Sequence, residues 1–126
     1  DLPQDFHWGK VNGQNYLTWV KNQYLPHYCE NGWAHASASA MSDRFNVLRK
    51  NQFPQVTLNA QTLLSCGLQK GSCALGNPGN PGGVYYFMQT TGLTDMTCQS
   101  ELATQPPQPA CEAINQCKTC ASPTPW

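Results

Sequence analysis

Charge is scarce in this chain. Charged side chains make up 11% of its 126 residues, and Lys plus Arg and Asp plus Glu each number 7 without a run of either sign. That balance excludes the electrostatic footprint of proteins that hold nucleic acid or an anionic membrane, and no such partner is expected. Long apolar stretches are missing too, and none approaches the roughly 18 residues of a membrane span. The sequon Asn-x-Ser/Thr occurs nowhere, which excludes N-glycosylation. No period of about 20 to 50 residues recurs, so this is not a repeat architecture. Asp1 opens on a polar segment without the apolar stretch of a secretory leader, and the sequence reads as a mature, processed form.

Neutral polar residues and cysteine take the place of charge. Asn, Gln, Ser and Thr abound, as on the surfaces of many secreted proteins, and the length suits a single domain over residues 1–126 with one core. Seven cysteines, at positions 29, 66, 73, 98, 111, 117 and 120, point to an oxidising compartment. The secretory pathway follows, with the extracellular space or the lysosome as destination. Cys117-x-x-Cys120 has a zinc-like spacing, but no second such pair or paired His completes a tetrahedral set. As a redox couple it lacks the strand before and the helix after. No metal or other cofactor is expected. Seven is odd, so one thiol is unpaired or bonded outside the chain.

Residues 1–28 alternate aromatic and polar side chains around Gly9 and Gly13 and read as an extended lead-in. From Gly32 to about Lys50, Trp33, Ala36, Ala40, Met41, Val47 and Leu48 recur at helical spacing among small residues, which predicts the main helix, and its Ala/Ser content should let other backbones approach closely. A shorter helix is predicted from Asn59, as N-cap, to Cys66, with Leu63 and Leu64 inward. Residues 74–83 form a Gly/Asn/Pro loop. Pro81 can open a third helix carrying Val84, Tyr85, Phe87 and Met88 and stopping at Gly92. From Cys98 to Trp126 the chain is rich in Pro and Cys, and bridges rather than a core must hold it. The fold class is mainly α: three helices with disulfide-stapled loops.

Asn22-Gln23, then Cys29, then Gly32-Trp33-Ala34-His35-Ala36-Ser37, then Leu63-Leu64-Ser65-Cys66 and Gly71-Ser72-Cys73 stand in an order that resembles papain-family cysteine peptidases. The similarity covers roughly residues 2 to 120. The insertion Leu25-Pro26-His27 before the cysteine and the opening Leu2-Pro3 resemble a carboxypeptidase branch of that family. The resemblance implies the helical left lobe of a two-lobed fold, whose right lobe supplies a His and an Asn. That His lies about 130 residues or more after the nucleophile, beyond the reach of these 126 residues. His7, His27 and His35 are no substitutes for it.

The family's Cys-Gly-Ser-Cys-Trp here reads Cys29-Glu30-Asn31-Gly32-Trp33, which puts Gly32 at the nucleophile position. Glycine has nothing to ionise there. The resemblance further implies bridges Cys29–Cys73, Cys66–Cys111 and Cys98–Cys117, with Cys120 left over and Trp126 near its partner's place. Gln23 matches the oxyanion-hole glutamine, and Gly76 the glycine that pairs with a bound peptide. Ala74-Leu75 before it departs from the usual residues, and Glu30 puts a charge where a cleft glycine should be. Tyr24 stands where the carboxypeptidase branch has a carboxylate-holding His, and His27 lies at the far end of the insertion as an exposed loop residue. His35 reads as a hydrogen-bonded core residue.

The expected function is therefore an inactive peptidase homologue that binds or scaffolds, with Trp33, Gly76, Tyr24 and His27 as binding candidates. Its exposed lobe face should be covered by a partner protein, a complementary right-lobe chain or a second copy of itself. Two rivals stand beside it. One is a chain of a working cysteine carboxypeptidase with Gly32 engineered or misassigned, and the other is a disulfide-stapled structural component using Cys120 for an intermolecular bridge.

Overall fold

A computed structural model describes residues 2–67, 73, 81–102 and 108–117. Its regular elements are α1 (Gly32–Leu48), α2 (Gln61–Cys66), α3 (Pro81–Thr90) and a single 3-10 turn at Ala113–Asn115. Among the described residues strand pairing is confined to two isolated bridges, Val11 with Gln14 and Leu58 with Asp95. No helix there is long and apolar enough to cross a membrane.

Residues 2–31 contain no helix. Trp8 meets Phe6 and Tyr16 edge to face, with centroids 4.8 and 5.8 Å away, so the early aromatics form a small cluster of their own. Helix α1 ends two residues before the predicted limit. Lys50 takes a positive φ of 52°, its N–H bonds to the Val47 carbonyl, and the Asn51 N–H bonds back to Asn46. This is a Schellman stop with lysine where glycine is usual.

Another backbone approaches α1 closely, as its Ala/Ser content predicts, but the residues it buries are not those that recur at helical spacing. Ala34, Ser37, Ala38, Ser42 and Asn46 face inward, whereas Ala36 and Ala40 are exposed and Leu48 is 78% exposed. The cause is the neighbour: residues 56–58 run against the helix with unpaired backbone groups that need small and polar side chains. Asn46 answers Val56 as a strand would, donating from Nδ2 to its carbonyl at 2.9 Å and accepting its N–H at 2.8 Å. Ser42 accepts the Leu58 N–H at 2.9 Å and donates to the Ala38 carbonyl at 2.6 Å.

Helix α1 packs on α3, and the core between them contains Ala34, Ala38, Leu58, Ala60, Leu63, Val84, Phe87 and Met88. Burying Phe87 or Leu63 contributes about 1.5–3 kcal/mol each. Helix α2 starts at Gln61, two residues after the predicted cap, yet Asn59 still caps it by accepting the Thr62 N–H at 3.0 Å. Leu63 and Leu64 are buried. The third helix opens at Pro81 as predicted, so Gly82 and Gly83, which composition puts in the 74–83 loop, belong to its first turn. Tyr85 is 41% exposed, unlike its neighbours Val84, Phe87 and Met88. Gly92, with φ of 87°, directs its N–H to Met88 and closes the helix. The rest of the 74–83 loop, residues 103–107 and residues 118–126 lie outside the described residues.

Bridge Cys66–Cys111 ties the last described segment to the end of α2, and Cys98–Cys117 ties it to the turn that follows α3. Amides add to them: Gln61 accepts the Leu102 N–H at 3.1 Å and donates to Gln108 at 3.0 Å, while Gln99 donates to the Asn115 carbonyl at 3.1 Å.

Candidate functional site at the start of helix α1

The segment leading into α1 is fixed by the chain on both sides. Cys29 is fully buried and bridged to Cys73, its N–H bonds to the Gln23 carbonyl at 3.0 Å, and the Glu30 N–H reaches the Cys73 carbonyl at 3.4 Å. Gly32 follows as the first residue of α1 and is exposed. A β-carbon built on it would meet Gln23 Oε1 at 3.1 Å, so the glutamine side chain stands directly over this position. Asn31, the N-cap, is buried without capping, and its Oδ1 has no donor among the described residues.

The Gly32 N–H lies at the positive end of a 17-residue helix, where backbone donors lack intrahelical acceptors. This N–H can polarise an oxygen atom placed beside it, whereas the Gln23 atom nearest position 32 is Oε1, an acceptor. Among the described residues Gly32 brings no side chain to this position, and the Cys29 sulfur is in a bridge.

One wall carries Tyr24, Tyr28 and Glu30. The rings of Tyr24 and Tyr28 are 4.9 Å apart and tilted by 36°, Tyr24 is 63% exposed, and the Tyr28 hydroxyl donates a short hydrogen bond to Glu30 Oε1. That bond, with smaller contributions from burial and from the charge of Glu30, pushes the Tyr28 phenol up to about 12, so it stays a neutral donor. His27 is exposed on the intervening loop, and no contact among the described residues joins it to Gln23 or Gly32.

Among the described core residues, Trp33 packs elsewhere than on Tyr24, Tyr28 or Glu30. It is half-buried and packs against both the main core and the smaller cluster of Cys29, Leu64 and Cys73. Its place is that of a packing residue joining two clusters. His35 departs from the expected hydrogen-bonded core residue: its Nδ1 is buried and lies 3.6 Å from Glu101 Oε1, beyond hydrogen-bond length. The same carboxylate oxygen accepts the Ala60 N–H at 3.2 Å. Burial holds the His35 imidazole below its ordinary value, opposed by Glu101 and reinforced by Lys21. Burial also lowers the Lys21 ammonium, against the pull of Glu101 and Asp43.

Cys117 is bridged to Cys98, which leaves Cys117-x-x-Cys120 without a free thiol at its first position. Among the described residues no group of three or more His, Cys, Asp or Glu could hold a metal ion. Gly76 and Cys120 lie outside the described residues. The Tyr28–Glu30 bond was missed in the sequence, although two residues of an extended segment at this spacing share a side.

Comparison with known proteins places this geometry. The family model described as Papain family cysteine protease matches residues 2–124. Cathepsin Z of Onchocerca volvulus is 37% identical over 120 residues, covering 95% of this chain. The chain spans 37% of the length of that relative.

Proposed function

This chain belongs to the papain family of cysteine proteases, and from that premise we propose that it is a cathepsin X/Z-like module that binds without cleaving. The three helices and three bridges among the described residues are those of the left lobe of the papain-like fold. The observation that carries the proposal is Gly32 at the start of α1 beneath the Gln23 side chain, where the family's attacking thiolate would stand. The N–H at the helix start, without a nucleophile beside it, can hold a carbonyl or carboxylate oxygen but forms no acyl-enzyme. We place the module in the secretory pathway, extracellular or lysosomal, in line with its family and its bridges. Its partner is a protein, a complementary right-lobe chain, or another copy of itself.

The test combines intact mass with two activity measurements on the protein as purified from its source. The expected result is a mass matching glycine at position 32, no labelling of this chain by an epoxide thiol-protease probe, and no hydrolysis of peptide substrates with free C-termini. Epoxide-sensitive hydrolysis would overturn it.

A second reading, one chain of a working cysteine carboxypeptidase, draws on Gln23 having kept its place over position 32. It requires a cysteine there, and the same mass measurement decides between the two.

A further inference from the structure

Four carboxylates in the described structure are half-buried: Glu30, Asp43, Asp95 and Glu101. Three of them are held by backbone donors. Asp43 accepts the Thr18 N–H and hydroxyl, Asp95 accepts the Thr57 and Thr97 N–H groups, and Glu101 accepts the Ala60 N–H while facing His35. Among the described residues Glu30 accepts the Tyr28 hydroxyl alone and is paired with no cationic side chain. A half-buried carboxylate held by a single neutral donor keeps an unused oxygen and an uncompensated charge.

The surroundings of that charge are aromatic. Tyr28 turns its hydroxyl to Glu30 and its ring to Tyr24, whose face is largely open to solvent. A π-face next to a carboxylate is complementary to an organic cation: the ring attracts it through its quadrupole and the carboxylate through charge and hydrogen bonding. The same pair repels a carboxylate.

We propose that Tyr24, Tyr28 and Glu30 form a receptor for a basic side chain, lysine or arginine, of a bound peptide. The proposal deepens the reading of this face as a binding surface and rests on it. The site would select peptides by a positive charge beside the start of α1, the opposite of selection for a free C-terminal carboxylate.

Fluorescence anisotropy on the full chain tests this with four labelled probes of neutral small residues. One carries a central Arg with both termini blocked, one Glu in its place, one a free amino terminus without a basic side chain, and one a free C-terminus. The Arg probe is expected to bind about tenfold more tightly than the Glu probe, the advantage of a desolvated cation–π contact together with a charge pair. Glu30→Gln should abolish that preference, and Tyr24→Ala should weaken the Arg probe several-fold, with circular dichroism unchanged because glutamine keeps the size and shape of Glu30 and Tyr24 is largely exposed. Equal binding of the Arg and Glu probes, a preference that survives Glu30→Gln, tighter binding of either free-terminus probe, or no binding of the Arg probe at millimolar concentration would each overturn the proposal. Cleavage of a bound Arg probe would sink the non-cleaving reading and leave this site standing. A chain that neither cleaves nor binds it would do the reverse.

Discussion

Gln23 holds its side-chain oxygen 3.1 Å from the point where a β-carbon on Gly32 would stand. The approach is close, but Oε1 is the end of a flexible side chain, so a small residue at 32 needs it to move by only a few tenths of an ångström. Gly32→Cys is therefore expected to fold. Its thiol, at the first position of α1, should ionise below about 7.5, against an ordinary value near 8.5. Iodoacetamide alkylation rates against pH, variant minus parent, would report the midpoint. A value of 8.5 or higher would mean that the helix start no longer favours an anion.

Asn46 carries both hydrogen bonds between α1 and Val56 and is fully buried. Asn46→Ala removes them and strands two backbone groups, at an expected cost of about 2–4 kcal/mol. Urea unfolding measures this. A loss under about 0.5 kcal/mol, the level of an ordinary surface substitution, would show that the 56–58 segment finds other partners.

His35 gives the fold a pH dependence of known sign. Burial, working against Glu101 and with Lys21, holds its folded pKa below the unfolded one, so the unfolded chain takes up the proton first. Its stabilising contribution is complete above the unfolded value of about 6.5 and is lost as pH falls from there through the folded value. Melting temperatures at pH 7 and pH 5 should differ less in His35→Gln than in the parent. An unchanged difference would assign the acid sensitivity elsewhere.

The bridges should differ in worth. Cys66–Cys111 closes a separation of 45 residues and Cys98–Cys117 one of 19. In the chain-entropy account, replacing the first pair by serines costs about 0.8 kcal/mol more than replacing the second. Paired double variants compared by denaturant unfolding would show the order, and its reversal would point to enthalpic differences in the folded state.

Helix starts and stops were legible because they rest on local chemistry: glycine at 92 takes a left-handed turn, Asn59 accepts an N–H near a helix start, and Pro81 lacks the donor that a first turn leaves unpaired. That another backbone comes close to α1 was legible in its Ala/Ser content, but which of its residues meet that backbone was not. Periodicity weighs bulky apolar residues, whereas this helix meets a backbone at close range and buries Ser42 and Asn46 to satisfy it. At the site, Gln23 and Gly32 came from an ordered motif, and the structure brings them together. The pairing of His35 with Glu101 spans 66 positions, and nothing in the spacing of two polar residues that far apart announces contact.

The three bridges overlap in sequence, since Cys66 falls inside the span from Cys29 to Cys73 and Cys98 inside that from Cys66 to Cys111. Every peptide bond from Cys29 to Cys117 is consequently spanned by at least one bridge. A single backbone cut anywhere in that stretch releases no fragment, and the nicked molecule keeps its mass, apart from one added water, until it is reduced.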